Sequence, residues 1–180
     1  MLKKWKKISE EILIKNNWWE YKKDIFDIPE VKTGEYHYVS TRGSSMVIPF
    51  ITDEKVICVK QYRYLNENFS IEFPCGGVLE NDDYFITAKK ELEEETGYTS
   101  SDIEPIGEFN PYNGVTNEIC KVFVARDLKK CNSQPDLTEE FELLILTIDE
   151  IKDMVKEKSI WDGMTLASLS IFEIFKNKKC

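Results

Sequence analysis

Apolar and polar residues follow two rhythms along this chain. Over roughly residues 10–40 they alternate singly: Ile12 and Ile14, then Trp19, Tyr21 and Lys23, then Tyr36 and Tyr38. A period of two belongs to antiparallel strands, whose successive side chains point to opposite faces. Residues 45–51 (SMVIPFI) and 55–62 (KVICVKQY) read as two further strands, separated by the turn signal Thr52-Asp53-Glu54. Strand-like runs recur at 70–73, 118–125 and 142–147. Two segments carry the helical period instead. In 83–96, Phe85, Ala88 and Leu92 stand at i, i+3 and i+7 and share one face. Asp82 or Asp83 is placed to cap its start, and Gly97 to end it. The tail 162–176 repeats Leu166, Leu169, Phe172 (or Ile171) and Ile174 in helical register, with a shorter helix expected at 149–156. Strands flanked by a few helices predict an α+β sandwich built on a mixed sheet.

Composition narrows the class. A chain of 180 residues with 42% hydrophobic and 32% charged residues suits one globular domain, and no repeat, low-complexity tract or linker divides it. No run approaches the roughly 18–20 consecutive apolar residues of a membrane span. The basic start MLKKWKKISEEILIK is too interrupted for a signal peptide, so a cytoplasmic address with no membrane partner is expected. Five scattered cysteines, none in a C-x2-C pair, read as free thiols rather than a disulfide framework or zinc site. The formal charge of −9 argues against a nucleic-acid partner and leaves small phosphorylated substrates open. His37, the only histidine, fits neither a nucleophile nor a ligand pattern.

The chemistry concentrates in residues 72–98, EFPCGGVLENDDYFITAKKELEEETGY. A strand is expected to end at Phe73, Pro74 to stop its ladder, and Gly76-Gly77 to let the chain turn. The helix that follows carries Glu91, Glu94 and Glu95. Glu91 and Glu95 are four residues apart, about 6 Å along the axis and on one face, where like charges repel. A hard divalent cation between them removes that repulsion, because Mg²⁺ favours oxygen donors. A plain solvated acidic face is the competing reading of the same run.

The stretch resembles the signature of the Nudix hydrolases, G-x5-E-x7-R-E-U-x-E-E-x-G-U, with U a bulky apolar residue. Gly76 opens it, and Glu91, Leu92, Glu94, Glu95, Gly97 and Tyr98 fall in register. Asp82 stands at the first acid and Lys90 at the arginine, two departures that keep the charge and change the reach. The resemblance implies a Nudix-type α/β/α sandwich with a mixed sheet, preceded by an N-terminal antiparallel strand region. Residues 1–44 would form that region and serve as a dimerisation element of a homodimer, and 45–180 would form the hydrolase domain. It further implies that Mg²⁺, or Mn²⁺, is held by Glu91, Glu95 and the backbone carbonyl of Cys75, with Glu94 assisting in catalysis alongside Glu95.

Flanking segments resemble one branch of the family. VKQYRY (59–64), IEFPCGG (71–77) and NPYNGVTNE (110–118) look like the patterns of ADP-ribose pyrophosphatases and nucleotide-sugar hydrolases. By that resemblance Arg63 would contact the diphosphate, Glu72 the nucleoside or ribose end, and Glu118 the terminal sugar. Trp18 or Trp19 would stack on the base; as neighbours in a strand they would face opposite ways, with one in the core. A loop glutamate, Glu140 or its neighbour Glu139, would act as base or further ligand. The expected reaction is hydrolysis of the diphosphate of a nucleoside-diphosphate compound, with ADP-ribose giving AMP and ribose 5-phosphate first in line. A nucleotide sugar such as GDP-mannose or ADP-glucose, and a non-catalytic nucleotide-binding module, are the alternatives. An RNA-directed enzyme fits poorly with the acidic charge.

Overall fold

The computed structural model describes residues 2–132 and 140–177. The single alternation near the N-terminus becomes a three-stranded antiparallel sheet, β1 (Lys6–Lys15), β2 (Glu20–Ile28) and β3 (Lys32–Ser40), in that order. Every residue of β1 is exposed. Ion pairs lace one side of the sheet: Lys7 with Glu10 and Asp24, and Lys22 with Glu10 and Glu20. The Lys7 ammonium, helped by Lys22, holds the Glu10 carboxyl down at about 2. Exposed pairs of this kind add little stability. What anchors the sheet is hydrogen bonding to the backbone of a loop of the main body. Val39 N–H donates to the Val115 carbonyl at 2.8 Å, Asn117 N–H to the Val39 carbonyl at 3.3 Å, and the Tyr36 hydroxyl to the Gly114 carbonyl at 3.0 Å.

The body holds β4 (Ser44–Pro49), β5 (Lys55–Arg63), β6 (Asn68–Glu72) and β7 (Cys75–Gly77), followed by helix α1 (Tyr84–Thr96). Then come β8 (Tyr98–Thr99), β9 (Asp102–Phe109), β10 (Cys120–Arg126), β11 (Lys129–Lys130) and β12 (Glu142–Thr147), and finally α2 (Ile148–Lys156) and α3 (Gly163–Lys176). A mixed sheet runs β7-β4-β10-β9, with β4 and β10 parallel and the other pairs antiparallel. An antiparallel sheet β12-β5-β6 packs beside it, and β8 pairs with β11.

All six residues of β4 are buried, so its sequence reads as a nearly continuous apolar run rather than an alternating one. On one face Val47 and Phe123 pack with Ala88 and Leu92 of α1. On the other, Met46, Ile48, Val122 and Val124 meet Val56 and Cys58 of β5 and Leu169 and Phe172 of α3. This is the expected α+β sandwich with helices on both sides of a mixed sheet. Phe85 and Ile174, expected on buried helix faces, remain half exposed, Phe85 with its ring edge-on to Phe123. No described helix is long and apolar enough to cross a membrane.

Three local expectations are corrected. Trp18 and Trp19 are not strand residues: they sit in the turn between β1 and β2, and both are exposed, so neither enters the core. The side-chain oxygen of Asn16 accepts both of their backbone N–H groups, at 2.9 and 2.8 Å, and this fixes a turn where two aromatics suggest a strand. Gly76 and Gly77 do not form a turn but pair with Ser45 and Ser44 as strand β7. The third is β9, a strand absent from the alternation pattern; its Pro105 lies at the register shift opposite Val122 and Phe123, on the edge of the sheet.

Candidate active site

Helix α1 begins where the Asp83 carboxylate accepts the Ile86 N–H at 2.8 Å, and ends at Gly97 in the left-handed region. Its apolar stripe is pressed on β4, which turns Glu91 and Glu95 toward β7. Glu95 is only 7% exposed, and its carboxylate accepts the Cys75 N–H at 3.3 Å. Glu91 approaches Gly76 so closely that a Cβ there would lie 2.0 Å from its Oε1. Glycine is required at 76 by this approach, since the strand itself would accept a side chain. Glu94 points to the exposed side of the helix, and Glu93 accepts the Thr99 hydroxyl on another face.

The two departures from the family signature meet each other. Lys90 Nζ donates to both carboxylate oxygens of Asp82, at 3.0 and 2.8 Å, tying the loop before α1 to the helix. A shorter acid and a shorter, flexible cation stand where the signature has the longer acid and the planar fork.

A cavity of about 430 Å³ opens above β7 and the acidic face of α1. Cys75, Gly76, Glu91 and Glu95 form its floor, Glu118 stands on one side, and Trp18 and Trp19 hang over it from the β1–β2 turn. Glu118 is held by the Ser44 hydroxyl, which donates to it at 2.6 Å. Arg42 also lines this cavity, and the reading of the sequence overlooked it. Its position depends on Gly43, which has φ +104°, and any Cβ there would come within 2.8 Å of the Ile119 carbonyl. The Gly43 carbonyl accepts the Val78 N–H at 2.9 Å, so the Arg42 loop is pinned to the strand that carries Gly76. An Arg-Gly pair directly ahead of a buried strand was the available signal for it.

Arg63 and Glu72 lie outside the walls of this cavity and pair with each other. Arg63 Nε donates to Glu72 Oε1 at 2.8 Å and Nη2 to the second oxygen, a bidentate clasp around a carboxylate that is nearly fully buried. Glu72 raises the Arg63 pKa, opposed by burial, and the charges of Asp162 and Glu95 add to the rise. The pair therefore feels the field of the acidic helix without reaching its cavity. Glu140 is exposed just ahead of β12, near the Arg63 end of β5, since Glu142 pairs with Lys60. Glu139 lies outside the described residues.

The chemistry of the donors suits a hard cation. Glu91 and Glu95 offer carboxylate oxygens beside the β7 backbone, and the Glu91 carboxylate takes the space a side chain at 76 would fill. The Cys75 thiol is held well above its usual range by contact with Cys120 and by burial, so it favours the protonated form, a poor metal donor. Among the described residues no three His, Cys, Asp or Glu side chains are gathered tightly enough to enclose an ion alone. Mg²⁺ does not need such a cage, since it commonly takes one or two carboxylates and completes its shell with water and phosphate oxygens.

A glycine strand facing a helix with paired glutamates, within a mixed-sheet sandwich, defines the NUDIX class. The NUDIX domain model matches residues 41–166, and the chain belongs to this family. Among its relatives is a methanol dehydrogenase activator of Bacillus methanolicus, 32% identical over 153 residues, covering 84% of this chain and 83% of that protein. An ADP-ribose pyrophosphatase of Bacillus subtilis (strain 168) is 28% identical over 156 residues, with coverage of 86% and 84%. A GDP-mannose pyrophosphatase of Escherichia coli is 26% identical over 145 residues, covering 76% of each. A crystal structure of an ADP compounds hydrolase superposes with a TM-score of 0.85 over 99% of this chain and 97% of its own, at 16% identity, which establishes the shared fold.

Proposed function

We propose that this chain is a divalent-metal-dependent hydrolase that cleaves the diphosphate bond of a nucleoside-diphosphate compound. ADP-ribose is the leading substrate: with one water it gives AMP and ribose 5-phosphate. The observation that carries this reading is the convergence on one cavity of Glu91, Glu95 and Gly76 with Trp18, Trp19 and Arg42. Carboxylates for a cation, a positive charge for a diphosphate and aromatic faces for a base are the three needs of such a substrate. The B. subtilis relative's name agrees with it.

Glu91 and Glu95 would hold Mg²⁺ or Mn²⁺ with the carbonyl of Cys75. Such an ion, when bound, polarises the phosphoryl group and lowers the pKa of a bound water. The chain's own contribution is to position and balance charge. Arg42 faces the diphosphate from the rim, and the tryptophan turn shields the base. Glu118 would meet the sugar, and Glu94 or Glu140 is the candidate to accept the proton of the attacking water. The Arg63–Glu72 clasp would open toward substrate at its exposed arginine end. The test is product analysis of the purified protein with Mg²⁺ and a panel of ADP-ribose, ADP-glucose, GDP-mannose and NADH. AMP from ADP-ribose supports the leading reading. Preferential turnover of GDP-mannose moves the substrate to the nucleotide-sugar alternative, and binding without turnover removes the enzyme reading.

Asn16 is expected to act through the tryptophans. Replacing it with Ala removes the acceptor of two N–H groups, so KM for ADP-ribose should rise several-fold, about 1 kcal/mol, while kcat stays near its original value. Asn16→Asp retains the acceptor and should restore KM. An unchanged KM in Asn16→Ala would show that the turn holds without it.

The region 1–44 is proposed as a dimerisation element, and the working place as the cytoplasm. In support, β1 is an edge strand among the described residues, and Trp5 just before it is about half exposed, as are Ile8, Ile12 and Ile14 within it. Analytical ultracentrifugation should give a homodimer that Ile8→Lys with Ile12→Lys converts to monomer; a monomeric wild type removes the proposal.

A further inference from the structure

The proposed reaction leaves unused a second cavity of about 590 Å³ at the opposite end of the strands. Gly43 and Glu118, ahead of the parallel strands β4 and β10, belong to the carboxylate cavity, whereas Phe50 and Arg126, at their far ends, belong to this one. The length of β4 puts roughly 20 Å between them. Its volume lies within the roughly 300–1,000 Å³ of small-molecule sites.

Phe50 and Phe172, both buried, form an apolar floor, and Ile148 and Phe175 flank it. Arg126 is stacked on Phe50, with its guanidinium carbon 4.4 Å from the ring centroid. Stacking occupies a face of the guanidinium and leaves its in-plane N–H fork available. No ion pair joins Arg126 to any carboxylate among the described residues, although Asp53, Glu54 and Asp149 border the same cavity. Asp149 is engaged with Lys152 at 3.3 Å. The start of α2 does not compete for an anion, because the Glu150 carboxylate accepts the Thr147 N–H and hydroxyl while Thr147 caps the Glu150 N–H. Lys176 also lines the cavity, and its ammonium is drawn to Glu173 at 3.8 Å, so the fork of Arg126 is the donor that carries the proposal.

We propose that this cavity binds a small aromatic monocarboxylate. Its carboxylate would take both N–H groups of the Arg126 fork, and its ring would lie on the phenylalanine floor. The acids at the rim select the charge: Asp53 and Glu54 are exposed and would repel a phosphate dianion more than a single carboxylate. The site is independent of the reading of the carboxylate cavity.

The test is calorimetric titration of the full chain with benzoate and indole-3-acetate, with benzyl alcohol and inorganic phosphate as controls. The expected result is saturable binding of an aryl carboxylate and none of benzyl alcohol. Arg126→Gln, which keeps much of the stem on Phe50, should weaken binding about ten- to a hundredfold, with its thermal midpoint unchanged. Arg126→Lys keeps the charge and loses the fork, so it should recover only part of the affinity. Absence of saturable carboxylate binding to the wild type overturns the proposal. So does equal affinity in Arg126→Gln, and so does a preference for inorganic phosphate, which would make this an anion site of another kind.

Discussion

Glu95→Gln is expected to lower kcat for the leading substrate by about a hundred- to a thousandfold, while the protein keeps its fold. Removal of one preorganised electrostatic contact to a reacting phosphoryl group typically costs about 3–4 kcal/mol in the transition state. The fold is spared because glutamine has the same shape, and its amide oxygen can still accept the Cys75 N–H that Glu95 accepts at 3.3 Å. The loss should also appear as weaker metal binding: Mn²⁺ titration followed by electron paramagnetic resonance should show lower affinity in the variant. Retention of both full turnover and metal affinity would place the cation elsewhere, and the reading of α1 as its holder would be wrong.

Gly76→Ala is the second large effect, and it separates function from stability. The new methyl would meet Glu91 Oε1 at 2.0 Å and Cδ at 2.2 Å, so Glu91 must leave its place. The clash is with the far end of a flexible side chain, which can swing away, and the strand backbone at 76 needs no left-handed conformation. Activity should therefore fall at least about tenfold, the equivalent of about 1.4 kcal/mol. The thermal midpoint should move by no more than a few degrees. Gly77→Ala is the matched control, since nothing lies within 4 Å of a Cβ there, and it should behave as wild type in both assays. Equal loss of activity in the two variants would point to a general need for strand flexibility rather than to Glu91.

The sequence made the architecture readable where one force dominated. β12 was expected at 142–147 and occupies those residues, because its apolar run ends at a capping threonine. The acidic face of α1 followed from helical spacing alone, and its cap and stop from Asp83 and Gly97. The readings that failed involved competing signals. Trp18 and Trp19 favour a strand, and only the side-chain oxygen of Asn16 reveals that the backbone turns there. β9 contains Pro105 and Gly107, both discouraging to a strand, yet an edge position and a register shift accommodate the proline. The family resemblance named Arg63 and Glu72 individually; that they clasp each other required the antiparallel register of β5 and β6. Arg42 had only the glycine beside it as a signal, and its place over the cavity comes from a glycine clamp formed by residues far apart in the chain.

The bridge between Lys90 and Asp82 has a consequence for the inheritance of this site. Each residue departs from the family signature with a shorter arm than the one it replaces, so the bridge fits its gap only as a pair. A lineage that changes only one passes through a form whose bridge is mismatched in length. That form holds the loop ahead of α1 less firmly against the helix that presents Glu91 and Glu95. The two positions are therefore expected to descend as a unit, and a chimera that takes one of them from a conventional relative should be a poorer protein than either parent.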